Sequence, residues 1–171
     1  MTRTAPWLIL ALGTGAAAFY GALWATPRVL MHVAMERLGE AGGVNTLFHA
    51  PPSTHESRTV VRPSPDLAYS ICVFDLSKGP IRLIADYPEG VYWSVSAYAA
   101  NTDNFFVAND QTTNGPPARF VFDIKPLGNE VTVSPTAKGV ILLRHHIPDP
   151  AMVPTINARR ANGACQSPVR N

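Results

Sequence analysis

Four polar side chains have the chemical types that acid–base catalysis needs. Asp66 and Asp103 supply carboxylates, Tyr69 supplies a phenol and Arg119 supplies a guanidinium. Converging in one pocket, they would suit a small exported hydrolase or ligand-binding enzyme, because an acid and a base must both reach the substrate. However, both aspartates fall in segments typical of turns, and the sequence has no Gly-x-Ser-x-Gly nucleophile turn. The pattern favours structural roles for these residues and leaves the enzyme as the alternative.

The histidines lack the spacing of a metal site. His145 and His146 are adjacent on a predicted strand, where neighbouring side chains point to opposite faces. His32, His49 and His55 are scattered, without the short ligand spacings of zinc sites. The sequence also has no glycine-rich phosphate loop. It therefore predicts neither a metal nor a cofactor.

An uncharged apolar segment occupies the N-terminal part of the chain. No charged residue occurs from Thr4 to Pro27, and about 20 apolar residues suffice to cross a bilayer as a helix. Trp7, Tyr20 and Trp24 lie near its two ends, where aromatic rings favour the membrane interface. The pattern predicts a transmembrane signal-anchor helix over residues 1–27.

A cleaved signal peptide is the competing interpretation of this segment, because Ala16–Ala18 offers small residues for cleavage. The apolar run continues to Trp24, which favours an uncleaved anchor. The short basic start at Arg3 favours a cytoplasmic N-terminus and an exported C-terminal domain. Gly13 and Ala17 have the small-xxx-small spacing that lets membrane helices pack closely. We therefore predict them as a contact for another membrane helix, with ordinary helix composition as the alternative.

The remainder of the 171 residues has room for one domain. We expect a juxtamembrane helix and linker over residues 28–43 and one exported β domain with a C-terminal tail over residues 44–171. Short alternating segments separated by Pro and Gly turns predict an all-β fold, an antiparallel sandwich or a partly open barrel of about eight strands. The predicted strands are Arg58–Val61, Leu67–Leu76, Ile81–Ala85, Val91–Ala99, Asn104–Ala108, Arg119–Ile124, Glu130–Ser134 and Gly139–His146. A short helix is expected within Pro150–Arg160 and a surface tail after it.

Two further pairs of residues stand out in the β domain. Tyr92 and Tyr98 share the polar face of one predicted strand, which makes them a possible binding face. Cys72 and Cys165 are the only two cysteines, and in an exported domain they predict one disulfide that pins the tail to the sheet. Two free cysteines, one buried and one exposed, are the alternative.

Several short motifs together resemble a bacterial family, domain of unknown function 1254. The motifs are Arg62–Ser70, Phe74–Pro80, Gly90–Val95 and Asn101–Phe105, within about residues 58–146. The resemblance implies an exported β-rich fold and no established reaction. Longer members look like two-domain proteins with a second all-β domain, for which we expect no counterpart here. The usual Asn-x-Asp-Thr before Leu-Tyr-Ser is also altered, to Ser-Pro-Asp-Leu-Ala-Tyr-Ser. For both reasons we expect any site shared between the two domains of longer members to be incomplete here.

Composition narrows the class of function. Charged residues make up only 15% of the chain and the net charge is +2, without the basic block that nucleic-acid binding needs. The sequence predicts a membrane-anchored periplasmic accessory protein, a non-catalytic subunit or cap of a larger membrane protein complex. Its expected place is the bacterial inner membrane, with one membrane pass and the C-terminal domain in the periplasm. Its expected partners are the bilayer and other integral membrane subunits, and not nucleic acid.

Overall fold

A computed structural model describes residues 4–54, 63–126, 128 and 130–167. Within them, one long helix precedes two open β-sheets that pack face to face. The predicted strand Arg58–Val61 and His55 lie outside the described residues. The β-rich prediction is therefore correct in outline, but "all-β" understates the helical part and the sheets do not close into a barrel.

Helix α1 runs without interruption over Ala5–Gly42. It continues through Pro27, so the boundary predicted there between residues 1–27 and 28–43 does not interrupt the helix. Side chains beside the proline donate to carbonyls one turn back, from Thr26 Oγ to Ala22 O at 2.7 Å and from Arg28 Nη1 to Trp24 O at 2.7 Å. Such bonds help a helix tolerate proline, which removes one backbone donor.

Nine strands in the described residues form the two sheets. The first sheet has the order β1-β2-β8-β4-β5 and the second has the order β7-β6-β3-β9. Neighbouring strands are antiparallel except for β6 and β7, which are parallel. The strands are β1 (Phe48–His49), β2 (Leu67–Asp75), β3 (Ile81–Ala85), β4 (Trp93–Ala99), β5 (Asn104–Asn109), β6 (Ala118–Asp123), β7 (Val131–Val133), β8 (Lys138–His146) and β9 (Ala164–Gln166). Seven of them coincide with predicted strands within a few residues, while β1 and β9 were not predicted.

The core lies between the two sheets. It combines large side chains from both, including Phe74, Trp93 and Leu143 from the first sheet and Leu83 and Phe122 from the second, each at most 1% exposed. Burying side chains of this size contributes about 1.5–3 kcal/mol each. This interior holds the two sheets together and positions the polar groups described below.

The C-terminal segment is more ordered than the sequence suggests. A short 3-10 turn (Pro150–Met152) leads into helix α2 (Val153–Arg160), as expected. The predicted surface tail, however, contains strand β9, which pairs with β3 at the edge of the second sheet. Cys165 in β9 is bonded to Cys72 in β2, so the predicted disulfide is present and it links the two sheets.

Candidate functional site

A cluster of buried polar side chains lies where α2 packs over the β1 end of the first sheet. Ser70, on the core face of β2, is its centre and is only 1% exposed. The Ser70 hydroxyl lies 2.8 Å from Nδ1 of His49 and accepts a hydrogen bond from Nε of Arg160 at 3.1 Å. The cluster therefore joins β1, β2 and the last residue of α2.

Arg160 makes the most contacts in this cluster. It is 6% exposed, yet it donates to neutral acceptors: the Asn157 side-chain oxygen at 2.8 Å and the backbone carbonyls of Ala50 at 3.3 Å and of Tyr69, besides Ser70. Burial lowers the pKa of the guanidinium, but an arginine remains charged in proteins. Among the described residues, no carboxylate forms an ion pair with it.

The neighbouring carboxylate is occupied by other groups. Asp86 is buried and accepts from the backbone N–H of Tyr87 at 3.0 Å and from the side-chain amide of Asn162 at 2.9 Å. Its ion-pair partner is Arg159, at 3.5 Å. Two consecutive arginines end α2. Asp86 balances the charge of Arg159, and the charge of Arg160 is not balanced by a carboxylate within the described residues.

His145 lies beside this cluster on the core face of β8. It is 1% exposed, and its Nε2 lies 3.2 Å from the backbone oxygen of Asp86. Burial lowers the pKa of His145 to about 4, so the ring is neutral at pH 7. Trp93 faces it across β4 and β8, and Nδ1 of His145 and Nε1 of Trp93 both lack a partner within the described residues. When a neutral His145 donates from Nε2, its Nδ1 is a hydrogen-bond acceptor, whereas Nε1 of Trp93 is a donor.

A surface cleft of about 220 Å³ opens beside the Arg160 guanidinium. Its lining residues are His49, Ala50, Pro51, Pro52, Asn157 and Arg160. Burial, and secondly the charge of Arg160, lower the pKa of His49 below its ordinary value. The cleft therefore presents one positive charge, a neutral imidazole, an amide and two apolar rings.

The Ser70–His49 contact has the distance expected for a nucleophile and its base. The geometry argues against that chemistry, because Ser70 is 1% exposed and does not line the cleft. Its oxygen also accepts the Arg160 Nε–H. Ser70 is therefore a buried hydroxyl that bridges the His49 imidazole and the Arg160 guanidinium by hydrogen bonds.

The four residues of the enzyme alternative are dispersed. Asp66 is exposed in the turn before β2, and the hydroxyl of Tyr69 accepts from the backbone N–H of Ser64 at 2.9 Å. Asp103 lies in the β4–β5 turn, at the opposite end of the first sheet. The length of β4 separates these ends by roughly 20 Å at about 3.3 Å per residue. Arg119 is exposed on β6 of the second sheet.

The remaining predicted site residues are on the surface. Trp7, Tyr20 and Trp24 are 70%, 68% and 64% exposed on α1. Gly13 and Ala17 are exposed on the same helix, and a Cβ added to Gly13 would meet no atom within 4 Å. In the predicted binding face, Tyr92, directly before β4, is 47% exposed, and Tyr98 on β4 is half-buried.

Sequence reasoning missed the Arg160 cluster. Ser70 and Arg160 are 90 positions apart, and β1, which carries His49, is only two residues long. The one available signal is the Arg159–Arg160 pair in the last turn of a short helix, where basic residues usually interact with the helix C-terminus. Nothing in that pattern indicates burial.

Comparison with known proteins identifies the family. A family model described as "Protein of unknown function (DUF1254)" matches residues 44–166, so the chain belongs to this family and the resemblance is confirmed. The VPA0106 protein from Vibrio parahaemolyticus has a similar structure, with a TM-score of 0.65 and 10% identity, over 88% of this chain and 40% of that one. An uncharacterized protein from Burkholderia cenocepacia matches with a TM-score of 0.50 and 16% identity, over 77% and 38%. This chain thus spans about two fifths of either solved structure, and no curated protein matches it.

Proposed function

We propose that this member of the DUF1254 family is a membrane-anchored accessory protein of the bacterial inner membrane. Its single helix crosses the bilayer, and its β domain lies in the periplasm and caps a larger membrane protein complex. The observation that carries the proposal is the division of α1 into an exposed apolar half and a half that packs against the β domain.

The first half of α1 has no contact with the rest of the described chain that would cover its apolar side chains. Leu8, Leu12 and Phe19 are 62%, 74% and 60% exposed, and the helix is long and apolar enough to cross a membrane. Residues 5–26 extend over roughly 33 Å at about 1.5 Å per residue. This length matches a hydrocarbon layer of about 30 Å.

The second half of α1 packs on the first sheet. Met31, Met35 and Leu38 are half-buried at helical spacing, and α1 contacts β1, β2 and β8. Near its end, Gly42 lies so close to Phe48 of β1 that an added Cβ would overlap that side chain. Because one uninterrupted helix serves both environments, the anchor would hold the β domain in a fixed orientation at the membrane surface.

The Cys72–Cys165 bond supports the periplasmic side of the bilayer, because disulfides persist in oxidising compartments. The dispersal of Asp66, Asp103 and Arg119 favours an interaction role over the hydrolase alternative. The exposed Gly13 and Ala17 would then supply the close contact with a partner helix, as small residues do in membranes.

Topology and partner binding are tested separately. Protease added to spheroplasts should remove the β domain, and full protection would place that domain in the cytoplasm.

For partner binding, Gly13→Leu should reduce the recovery of co-purifying membrane subunits in mild detergent. Ala11→Leu, which lies about 200° around the helix from Gly13, should not reduce it. Purification of the unaltered chain as a lone monomer, or equal recovery with both variants, would contradict the accessory role.

A further inference from the structure

We propose that the cleft beside Arg160 binds a small monocarboxylate, with the carboxylate on the Arg160 guanidinium and an apolar body against Pro51 and Pro52. The site is independent of the anchoring role proposed above. It rests on the charge, the hydrogen-bond inventory and the shape of the cleft.

The charge of Arg160 is the first observation. A buried cation is costly unless an anion or a sufficient set of acceptors compensates it. Its acceptors are a hydroxyl, an amide oxygen and two backbone carbonyls, all of them neutral. Asp86 is bonded to Arg159 instead. Within the described residues, the guanidinium thus has no anionic partner, and it lines an open cleft.

The donors around the cleft are the second observation. A guanidinium has five N–H donors, and four of them are assigned within the described residues, which leaves one on Nη1. The same Nη1 binds Asn157, whose side-chain oxygen accepts while its amide nitrogen has no assigned acceptor in the described part of the chain. Nη1 of Arg160 and the amide nitrogen of Asn157 therefore each retain a donor at the cleft that both residues line, and a carboxylate has two oxygens to accept them.

The tautomer of His49 adds a third donor. Ser70 Oγ accepts from Nε of Arg160, and Nδ1 of His49 is the one further partner assigned to it within the described residues. The buried hydroxyl hydrogen is therefore paired only when Nδ1 of His49 accepts it. In a neutral imidazole with an accepting Nδ1, the proton is on Nε2. His49 lines the cleft, so its Nε2–H is available to an anion there.

Charge and shape together select the class of ligand. With His49 neutral, the site has one net positive charge, which a monoanion balances and a phosphate dianion exceeds. Pro51 and Pro52 have no side-chain donor or acceptor, so they fit an apolar body rather than further polar groups. The volume of about 220 Å³ is large enough for the body of a small organic acid.

The test uses the full chain in detergent micelles, with benzoate as the probe and benzamide as its uncharged isostere. Benzoate should shift the ring resonances of His49 in a saturable manner and raise the melting temperature, while benzamide at equal concentration should do neither. Asn157→Ala should raise the benzoate Kd about tenfold, since a hydrogen bond to a charged group is worth that much or more. Asn114→Ala, which alters an exposed turn asparagine, is the matched control and should leave the Kd unchanged.

Arg160→Lys should also weaken benzoate binding, because an ammonium cannot reproduce the planar guanidinium contacts. If that variant fails to fold, the benzamide comparison and Asn157→Ala still decide the matter. Equal responses to benzoate and benzamide, tighter binding of inorganic phosphate than of benzoate, or an unchanged Kd in Asn157→Ala would each overturn the proposal.

Discussion

Loss of the Cys72–Cys165 bond should be among the most destabilising changes in the β domain. The bond joins β2 in the first sheet to β9 in the second and has a sequence separation of 93 residues. In the chain-entropy model, closing a loop of that length restricts the unfolded chain by about 4–5 kcal/mol at 25 °C. Domains of this size are stable by about 5–15 kcal/mol in total, so the bond accounts for a large share.

The effect should be greatest in β9. This strand has only three residues, lies at the edge of its sheet and, among the described strands, pairs with β3 alone. Cys165 is its buried residue, while Gln166 is exposed. Without the bond, amide exchange protection should disappear from Ala164–Gln166 before it changes in β2 or β8, because short unanchored terminal segments fray.

The measurement is urea unfolding in micelles, comparing the oxidised chain, the reduced chain and Cys72→Ala/Cys165→Ala. Alanine is preferable to serine, because Cys72 is fully buried and a hydroxyl there would need a partner. The double variant also loses packing, so reduction of the unaltered chain isolates the contribution of the bond. The variant itself should not respond to reductant. Unfolding midpoints that coincide for the oxidised and reduced chains, or two thiols that alkylate in freshly prepared membranes, would refute the reasoning.

Two further predictions concern single core positions. The pKa of His145 is about 4 when folded and about 6.5 when unfolded, so the unfolded state binds the extra proton, and stability should fall by about 3 kcal/mol as the pH drops from about 6.5 to 4. Urea titrations at several pH values should show this loss, and His145→Gln should reduce it. Gly139→Ala should cost about 1–3 kcal/mol or more in thermal unfolding, because the new Cβ would overlap the carbonyl oxygen of Tyr98 and lie 2.5 Å from Cζ of Phe74. Gly13→Ala, where nothing lies within 4 Å, is its control.

The strands were predictable where an alternating or apolar segment is bounded by turn residues. Strand β3 was predicted with its observed bounds, Ile81–Ala85, because Pro80 precedes this apolar segment. Strands β1 and β9 have two and three residues, and unlike the equally short β7 they do not lie within an alternating apolar segment. Only Cys165 indicated that the segment containing β9 is held against the sheet.

The alternation in β4 was misleading on one face. Ser94 and Ser96 lie between Tyr92 and Tyr98 on the face predicted to be polar, yet they are 1% and 2% exposed. Strand β4 lies between β5 and β8, and the long side chain of Arg144 on β8 extends to Ser96, where Nη2 lies 3.3 Å from Oγ. Arg144 on the neighbouring strand thus contacts Ser96, and such a contact is not encoded in the local sequence.

The candidate cleft and the proposed anchor meet at one place in the fold. Helix α1 ends at Gly42, and His49 of β1 lines the cleft seven positions later. Gly42 contacts Phe48, the residue next to His49, so the end of the anchor helix packs directly beside the cleft wall. Arg160 completes that wall from the C-terminal side, through its bonds to Ala50 and Ser70. The cleft therefore forms only when the segment after the helix, β2 and α2 are all in place.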